Sequence, residues 1–161
     1  MNRYIKIALA AFASLFCLFY ALQNIANLGP ATWFVGTVAG MEGHEAYPNT
    51  FGFAVTSPVL VQILLWIIIL LELAAGILAG KGAIDLFKAR NGSGGDFNAA
   101  KTYALAGTGL GVLVWFGIFG AFAGAFFQMW QTEAGGNALE GSFWYSAQMA
   151  LVWLMISQKD D

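Results

Sequence analysis

Apolar residues crowd into four long runs, separated by connections rich in glycine, proline and polar side chains. A bilayer core about 30 Å thick needs roughly 20 residues of helix. The runs Ile5 to Leu22, Val59 to Gly80, Thr102 to about Met129 and about Leu139 to Ser157 meet or approach that length. The fourth is the least hydrophobic and opens on the interfacial triplet Phe143, Trp144 and Tyr145. The pattern predicts an all-α integral membrane protein, a bundle of four transmembrane helices forming a single membrane domain over residues 1–161.

The connections differ from one another. Residues 23–58 are too many for a simple turn, and their segment "TWFVGTVAGM" carries Trp33, Phe34, Val38 and Met41 near helical spacing. That predicts a short outer interfacial helix between helices 1 and 2. Pro30, Pro48 and Pro58 punctuate the loop, and Pro58 suits the first turn of the second span. The middle connection, "KARNGSGGDFNAAK", reads as a flexible linker followed by a helix start at Asp96. No internal repeat is evident, so an inverted-repeat transporter has no support.

Charge sets the expected topology. The seven basic residues are Arg3, Lys6, Lys81, Lys88, Arg90, Lys101 and Lys159. All lie before the first span, between the second and third, or after the fourth. The positive-inside rule then puts both termini and the middle loop in the cytoplasm. The basic positions beside the middle loop are expected to be solvated, snorkelling residues near anionic headgroups. Arg3 and Lys6 ahead of an apolar stretch resemble a secretory signal, but no small-x-small cleavage site follows, and Phe16 before Cys17 disfavours lipoprotein processing. A retained span is expected.

Composition agrees. The chain is 59% hydrophobic and 10% charged, with a mean hydropathy of +0.68, whereas a soluble domain carries about 25% charged residues. A net charge of −2 without a basic stripe excludes a nucleic-acid partner. The single cysteine, Cys17, excludes an internal disulfide and reads as a small buried residue.

The chemistry-bearing residues are few. His44, the one histidine, sits between Glu42 and Glu45 in the outer loop. It reads as a solvated loop residue, since no His, Cys or acid cluster has metal spacing. Ser14, Ser146 and Ser157 lack a neighbouring base and are expected to bond to backbone or an adjacent helix. "GTGLGVLVWFG" lacks the end of a phosphate loop. A non-enzymatic protein without a resident metal or cofactor is expected.

What remains is Glu72, an acid inside "WIIILLELAAGILAG". An ionised carboxylate at mid-membrane costs about 2.5–3.5 kcal/mol on insertion scales, so the neutral acid is favoured there. Glu72, Gly76 and Gly80 recur at every fourth position, with Ala75 and Ala79 beside them, so the acid is expected to face another helix. Span three offers Gly107 and Gly111 as one small-residue pair and Gly117, Gly120, Gly124 and Gln128 as a second stripe. The simplest packing sets spans two and three together over Glu72, with Gln148, Tyr20 and Gln23 as further partners. Glu72 then acts as a clamp on helix register, since a proton relay needs a second titratable group at depth. Trp33, Trp130, Trp144 and Tyr145 suit the outer interface and Tyr4, Phe87 and Tyr103 the inner one. Trp66, Trp115 and Trp153 lie deeper, against lipid or a partner helix.

These motifs resemble the bacterial "predicted small integral membrane protein" family of unknown function. The resemblance runs through "NIAN" (Asn24 to Asn27), "FVGTVAGME" (Phe34 to Glu42), "TSP" (Thr56 to Pro58) and Glu72. It continues in "FNAAK" (Phe97 to Lys101), "WFGIFG" (Trp115 to Gly120) and "MWQT" (Met129 to Thr132). It implies four helices and brings no activity. Where the family commonly has an acid before "MWQ", this chain reads "GAFF" with Ala125, and the following "WNGQ"-like stretch is "AGGN".

The expected function is an accessory or structural subunit of a larger membrane complex, respiratory or photosynthetic, contacting lipids and other membrane subunits. Two alternatives stand beside it: a small cation or proton carrier or channel using Glu72, and a lipid- or quinone-binding protein. The latter would use the outer end of span three, Phe126 to Gln131, with Trp33, Phe34, Gln128, Trp130 and Gln131 as outer contacts.

Overall fold

Backbone groups in hydrocarbon must be paired within the chain, and helices satisfy that requirement segment by segment. The computed structural model describes residues 2–47 and 49–161, so Pro48 lies outside the described residues. Every regular element among them is helical. Helix α1 is Asn2–Ala26, α2 Leu28–Ala39, α3 Pro58–Ala89, α4 Gly94–Ala99 and α5 Thr102–Val112. A π-helical stretch, Leu113–Phe126, continues α5; a 3₁₀ turn, Met129–Gln131, and α6, Glu133–Ser157, complete the chain.

Three helical stretches are long and apolar enough to cross a membrane: Asn2–Ala26, Pro58–Ala89 and Gly94–Phe126. Helix α6 has 25 residues but is not among them. Glu133, Asn137 and Glu140 thin its apolar content at the start. Pro58 takes the first turn of α3, where a missing N–H costs nothing. The start of α4 differs from expectation. Ser93 is the cap, its hydroxyl accepting from the Asp96 amide at 3.2 Å, and Asp96 is the reciprocal partner three residues on.

Helix α3 lies between α1 and α5, and glycines set both contacts. A Cβ added at Gly76 would come within 2.6 Å of Leu18 on α1, and one at Gly80 within 2.7 Å of the Ser14 hydroxyl. On the other side, a Cβ at Gly107 would overlap the backbone of Ala79, and one at Gly82 the backbone of Ala104. The Gly76/Gly80 stripe therefore meets α1, rather than span three as the sequence suggested; Ala75 and Ala79 face span three instead. Adjacent residues on a helix point about 100° apart, so a stripe one residue over selects a different neighbour.

The two ends of the bundle are built differently. At the charged end, Asp160 Oδ2 accepts from Lys6 Nζ on α1 and from Lys101 Nζ before α5, both at 2.6 Å. Asn98 donates to the Asp160 carbonyl at 2.8 Å, and Arg3 to the carbonyls of Gly92 and Asp161. Lys6 and Lys101 are only 7% and 3% exposed. Lys101 is thus a buried clamp residue, not a solvated snorkeller: its ammonium finds a carboxylate and carbonyls within the chain. Burial alone would push the Asp160 carboxyl up, but hydrogen bonds from Lys101 and Lys6 outweigh it and hold the group below its ordinary value of 3.8.

At the opposite, loop end, Tyr47, Phe51 and Phe53 lie against the segment that ends the π-helical stretch. Tyr47 N–H donates to Gln131 Oε1 at 2.8 Å, and Phe51 and Phe53 set edges against Phe126.

Candidate functional site

A cavity of about 280 Å³ opens between the helices, and the one acid of α3's apolar run lines it. Helix α1 contributes Tyr20 and Asn24, α2 Ala31 and Phe34, α3 Leu65, Ile68 and Glu72. The π-helical stretch adds Trp115 and Phe119, and α6 adds Asn137, Ala138, Gly141, Ser142 and Tyr145. Asn137 is exposed and marks the mouth.

Glu72 is 1% exposed. Its Oε2 accepts from Asn24 Nδ2 at 3.1 Å. Its Oε1 makes no hydrogen bond among the described residues, yet it is not sealed off from the open space beside it. Half of the carboxyl is therefore anchored and half is presented to the cavity. Neither Lys, Arg nor His lines this space among the described residues.

Aromatic rings share the wall of this cavity with the acid. Phe16 and Tyr20 on α1, Trp115 and Tyr145 form a cluster in which every pair of ring centroids lies 4.8–5.9 Å apart, at tilted or edge-on angles. Edge-to-face contacts of this kind are each worth about 0.5–1.5 kcal/mol beyond burial. They lock three helical segments around one end of the cavity. Tyr20, Trp115 and Tyr145 line it.

A second cavity of about 260 Å³ adjoins the first across Phe34, Val35, Ile68 and Phe119. Leu64, Ile67, Ile118, Phe122 and Phe127 make the rest of its wall almost purely apolar. The two spaces together present an aromatic chamber with a minority of polar groups beside a hydrocarbon-like one.

The residues singled out in the sequence fall into distinct places. Glu72 lies in the first cavity and Phe34 between the two. Asn24, not Gln23, Tyr20 or Gln148, bonds to Glu72; Gln23 and Gln148 are exposed. Gly76, Gly80 and Gly107 sit at the close helix contacts, and Gly111 touches Met149 on α6. The Gly117, Gly120, Gly124 and Gln128 stripe is not kept. Gly117 faces open space, Gly120 meets its own helical segment, and Gly124 meets Leu139. The reason is the π-helical winding, whose wider i→i+5 turn breaks a stripe drawn at α-helical spacing. Gln128 leaves the helix in the left-handed region, with φ of 54°.

The Phe126–Gln131 end of span three is a fastening, not a chamber. Gln131 Nε2 donates to Gln128 Oε1 at 2.6 Å while Gln131 Oε1 holds Tyr47, whose ring packs edge-on against Trp130. Trp33 is exposed on α2. Of residues 126–131, Phe127 alone lines either of these two cavities. The serines bond to backbone: Ser14 donates across to Gly76 on α3 at 2.7 Å, Ser146 and Ser157 to their own helix. No group of three or more His, Cys, Asp or Glu side chains converges among the described residues.

Sequence reasoning missed Asn24 as the partner of Glu72, and the aromatic cluster at the cavity. The available signal was Asn24 in "NIAN", about 12 Å of helix beyond Phe16 by a rise of about 1.5 Å per residue.

Long apolar helices packed through glycine contacts define a helical integral membrane protein. The chain belongs to the predicted small integral membrane protein family (DUF2165), whose model matches residues 2–159. That family carries no assigned activity in its description. No curated protein and no solved structure matches the chain.

Proposed function

We propose that this protein is a non-enzymatic, multi-pass membrane protein that binds a small lipophilic molecule in the chamber containing Glu72. One observation carries the reading: a buried carboxyl with one oxygen tied to Asn24 and the other left to a cavity of about 280 Å³. A pure register clamp would have both oxygens satisfied by the neighbouring helices, because an unmet polar group in hydrocarbon is costly.

In this reading α6 is the fourth span. The charged end with Lys6, Lys101 and Asp160 lies in the cytoplasm, and α2 rests in the outer interface of a bacterial inner membrane. The distribution of basic residues supports that orientation. An accessory-subunit role rests on exposed apolar side chains such as Trp66 and Trp153, which lipid covers equally well, so the cavity is the stronger guide. A carrier role would need a second polar path, and the charged end is closed by packed glycines and the lysine clamp.

The test is native mass spectrometry of protein drawn from its own membranes in gentle detergent. Gly141 lines the chamber, and the nearest atoms a Cβ there would meet belong to the Tyr145 side chain, at 3.4–3.5 Å, ordinary van der Waals contact. Gly141→Leu should therefore fill the space without disturbing the fold. Wild type is expected to carry a bound lipophile that Gly141→Leu lacks. Equal occupancy in both would overturn the reading.

A further inference from the structure

The chemistry of the chamber narrows its ligand, on the reading that it binds one at all. Glu72 presents a free carboxyl oxygen to the space, and the aromatic residues Tyr20, Trp115 and Tyr145 line it. Rings with negative π faces and a carboxylate attract the same thing, a positive charge. The lining offers no lysine, arginine or histidine to neutralise Glu72 among the described residues. An anionic or phosphate-bearing ligand would meet repulsion there and no counter-charge. A neutral lipophile without a hydrogen-bonding group would leave the free oxygen and the ring quadrupoles unused.

We infer that the Glu72 chamber takes an organic cation, an ammonium group carried on an apolar body, with the ammonium beside Glu72 and the body reaching past Phe34 and Phe119 into the second cavity. The adjoining space supports the second half of the assignment, since its wall is apolar and shares those two rings with the chamber. The ion pair also accounts for an acid in an aliphatic run. A bound cation offsets the cost of the ionised carboxylate, while Asn24 holds the carboxyl in place when the site is empty.

The cation comes free rather than as a lipid headgroup. Choline and ethanolamine headgroups carry their ammonium next to a phosphate, and the chamber lining has no lysine, arginine or histidine among the described residues to neutralise that phosphate.

The experiment compares a matched pair of probes on the full chain in lipid nanodiscs by equilibrium dialysis. Benzyltrimethylammonium and neopentylbenzene have the same shape and differ in a quaternary nitrogen against a quaternary carbon. The cation is expected to bind more tightly than its neutral twin, and Glu72→Gln to weaken it by about tenfold or more, the scale of a lost charged contact. Glu72→Gln should leave neopentylbenzene unaffected. Phe34→Leu, on the peripheral helix α2, is the second variant and should weaken the cation about threefold or more through the lost ring. Dihexanoylphosphocholine should compete poorly; competition equal to that of benzyltrimethylammonium would overturn the choice of a free cation.

Equal binding of both probes, with Glu72→Gln without effect on either, would overturn the cation assignment while leaving a lipophile site in place. If neither probe binds wild type and no lipophile co-purifies with it, both readings fall together.

Discussion

A single methyl group should separate two glycines that look alike in sequence. Gly107 and Gly117 both lie in the third apolar stretch. A Cβ at Gly107 would overlap backbone atoms of Ala75 and Ala79, whereas one at Gly117 would meet nothing within 4 Å. Backbone cannot rotate out of the way as a side chain can, so Gly107→Ala must push α5 off α3. Overpacking of this kind costs roughly 1–3 kcal/mol, and the gain in helix propensity from Gly to Ala returns up to about 1 kcal/mol. With the full propensity gain the net loss expected for Gly107→Ala is therefore about 0–2 kcal/mol. Gly117→Ala keeps only the propensity change and should be neutral or slightly stabilising. The two variants should differ by roughly 2 kcal/mol, about thirtyfold in the ratio of folded to unfolded protein. Titration of detergent-solubilised protein with sodium dodecyl sulphate, followed by tryptophan fluorescence and circular dichroism, reads that ratio. Equal stability of the two variants would refute the backbone-contact account of α3 and α5.

The clamp at the charged end gives a pH dependence with a definite sign. The Asp160 carboxyl is held below its ordinary 3.8, so its contribution is complete at neutral pH. It is lost as pH falls from about 3.8 through the depressed folded value; unfolding midpoints at pH 7, 5 and 3 should be flat, then fall. Asp160→Ala leaves Lys6 and Lys101 buried without their counter-charge and should cost roughly 3 kcal/mol in the same titration. Cys17 is fully buried, so maleimide should label it only after the detergent titration has opened the bundle. For orientation, single cysteines at Asn49 and at Lys159, in a Cys17→Ala background, should be labelled from outside intact cells at the first position and not at the second. The reverse pattern would invert the proposed topology.

Much of the helical architecture could be read from the chain, and the site could not, for one physical cause. Long apolar runs must become helices in hydrocarbon, so the first three spans and the proline at the start of α3 follow from composition and local chemistry. Helix lengths were less legible: α3 runs on to Ala89, well past Gly80, because Lys81, Asp85 and Lys88 are as content in a helix beyond the bilayer as in a loop. Side-chain partners depend on rotation about each helix axis, and one residue of error there exchanges one neighbour for another. Asn24 was passed over for Gln23 on that account, and the Gly76/Gly80 stripe was assigned to the wrong neighbour. The π-helical winding of Leu113–Phe126 left no mark in the pattern, so every position drawn at α-helical spacing beyond Val112 drifted. The basic residues read only as topology markers and solvated snorkellers, because nothing local to Lys6 or Lys101 announces a carboxylate at Asp160, more than fifty residues away in the chain.

The asymmetry between the two ends links these features. Toward the charged end, α3 and α5 touch backbone to backbone at Gly82 and Gly107, and the Lys6–Asp160–Lys101 clamp ties α1, α5 and the segment after α6 together. Toward the loop end the same third stretch abandons α-helical winding, and Trp115 and Phe119 from its wider turns wall the cavities. Wide turns pack poorly and leave space between helices, which a membrane protein without a ligand would be expected to close by simple α-helical continuation. The tight end compensates for the loose one: glycine contacts and buried ion pairs hold the helices in register so that the other half can stay open around a single acid. That division predicts which substitutions separate stability from binding. Gly107→Ala should lower the unfolding midpoint while the folded fraction still binds benzyltrimethylammonium with near wild-type affinity, and Glu72→Gln should do the opposite. Loss of binding and stability in parallel in both variants would mean that the two halves are one cooperative unit, and that the open end is not a separable site.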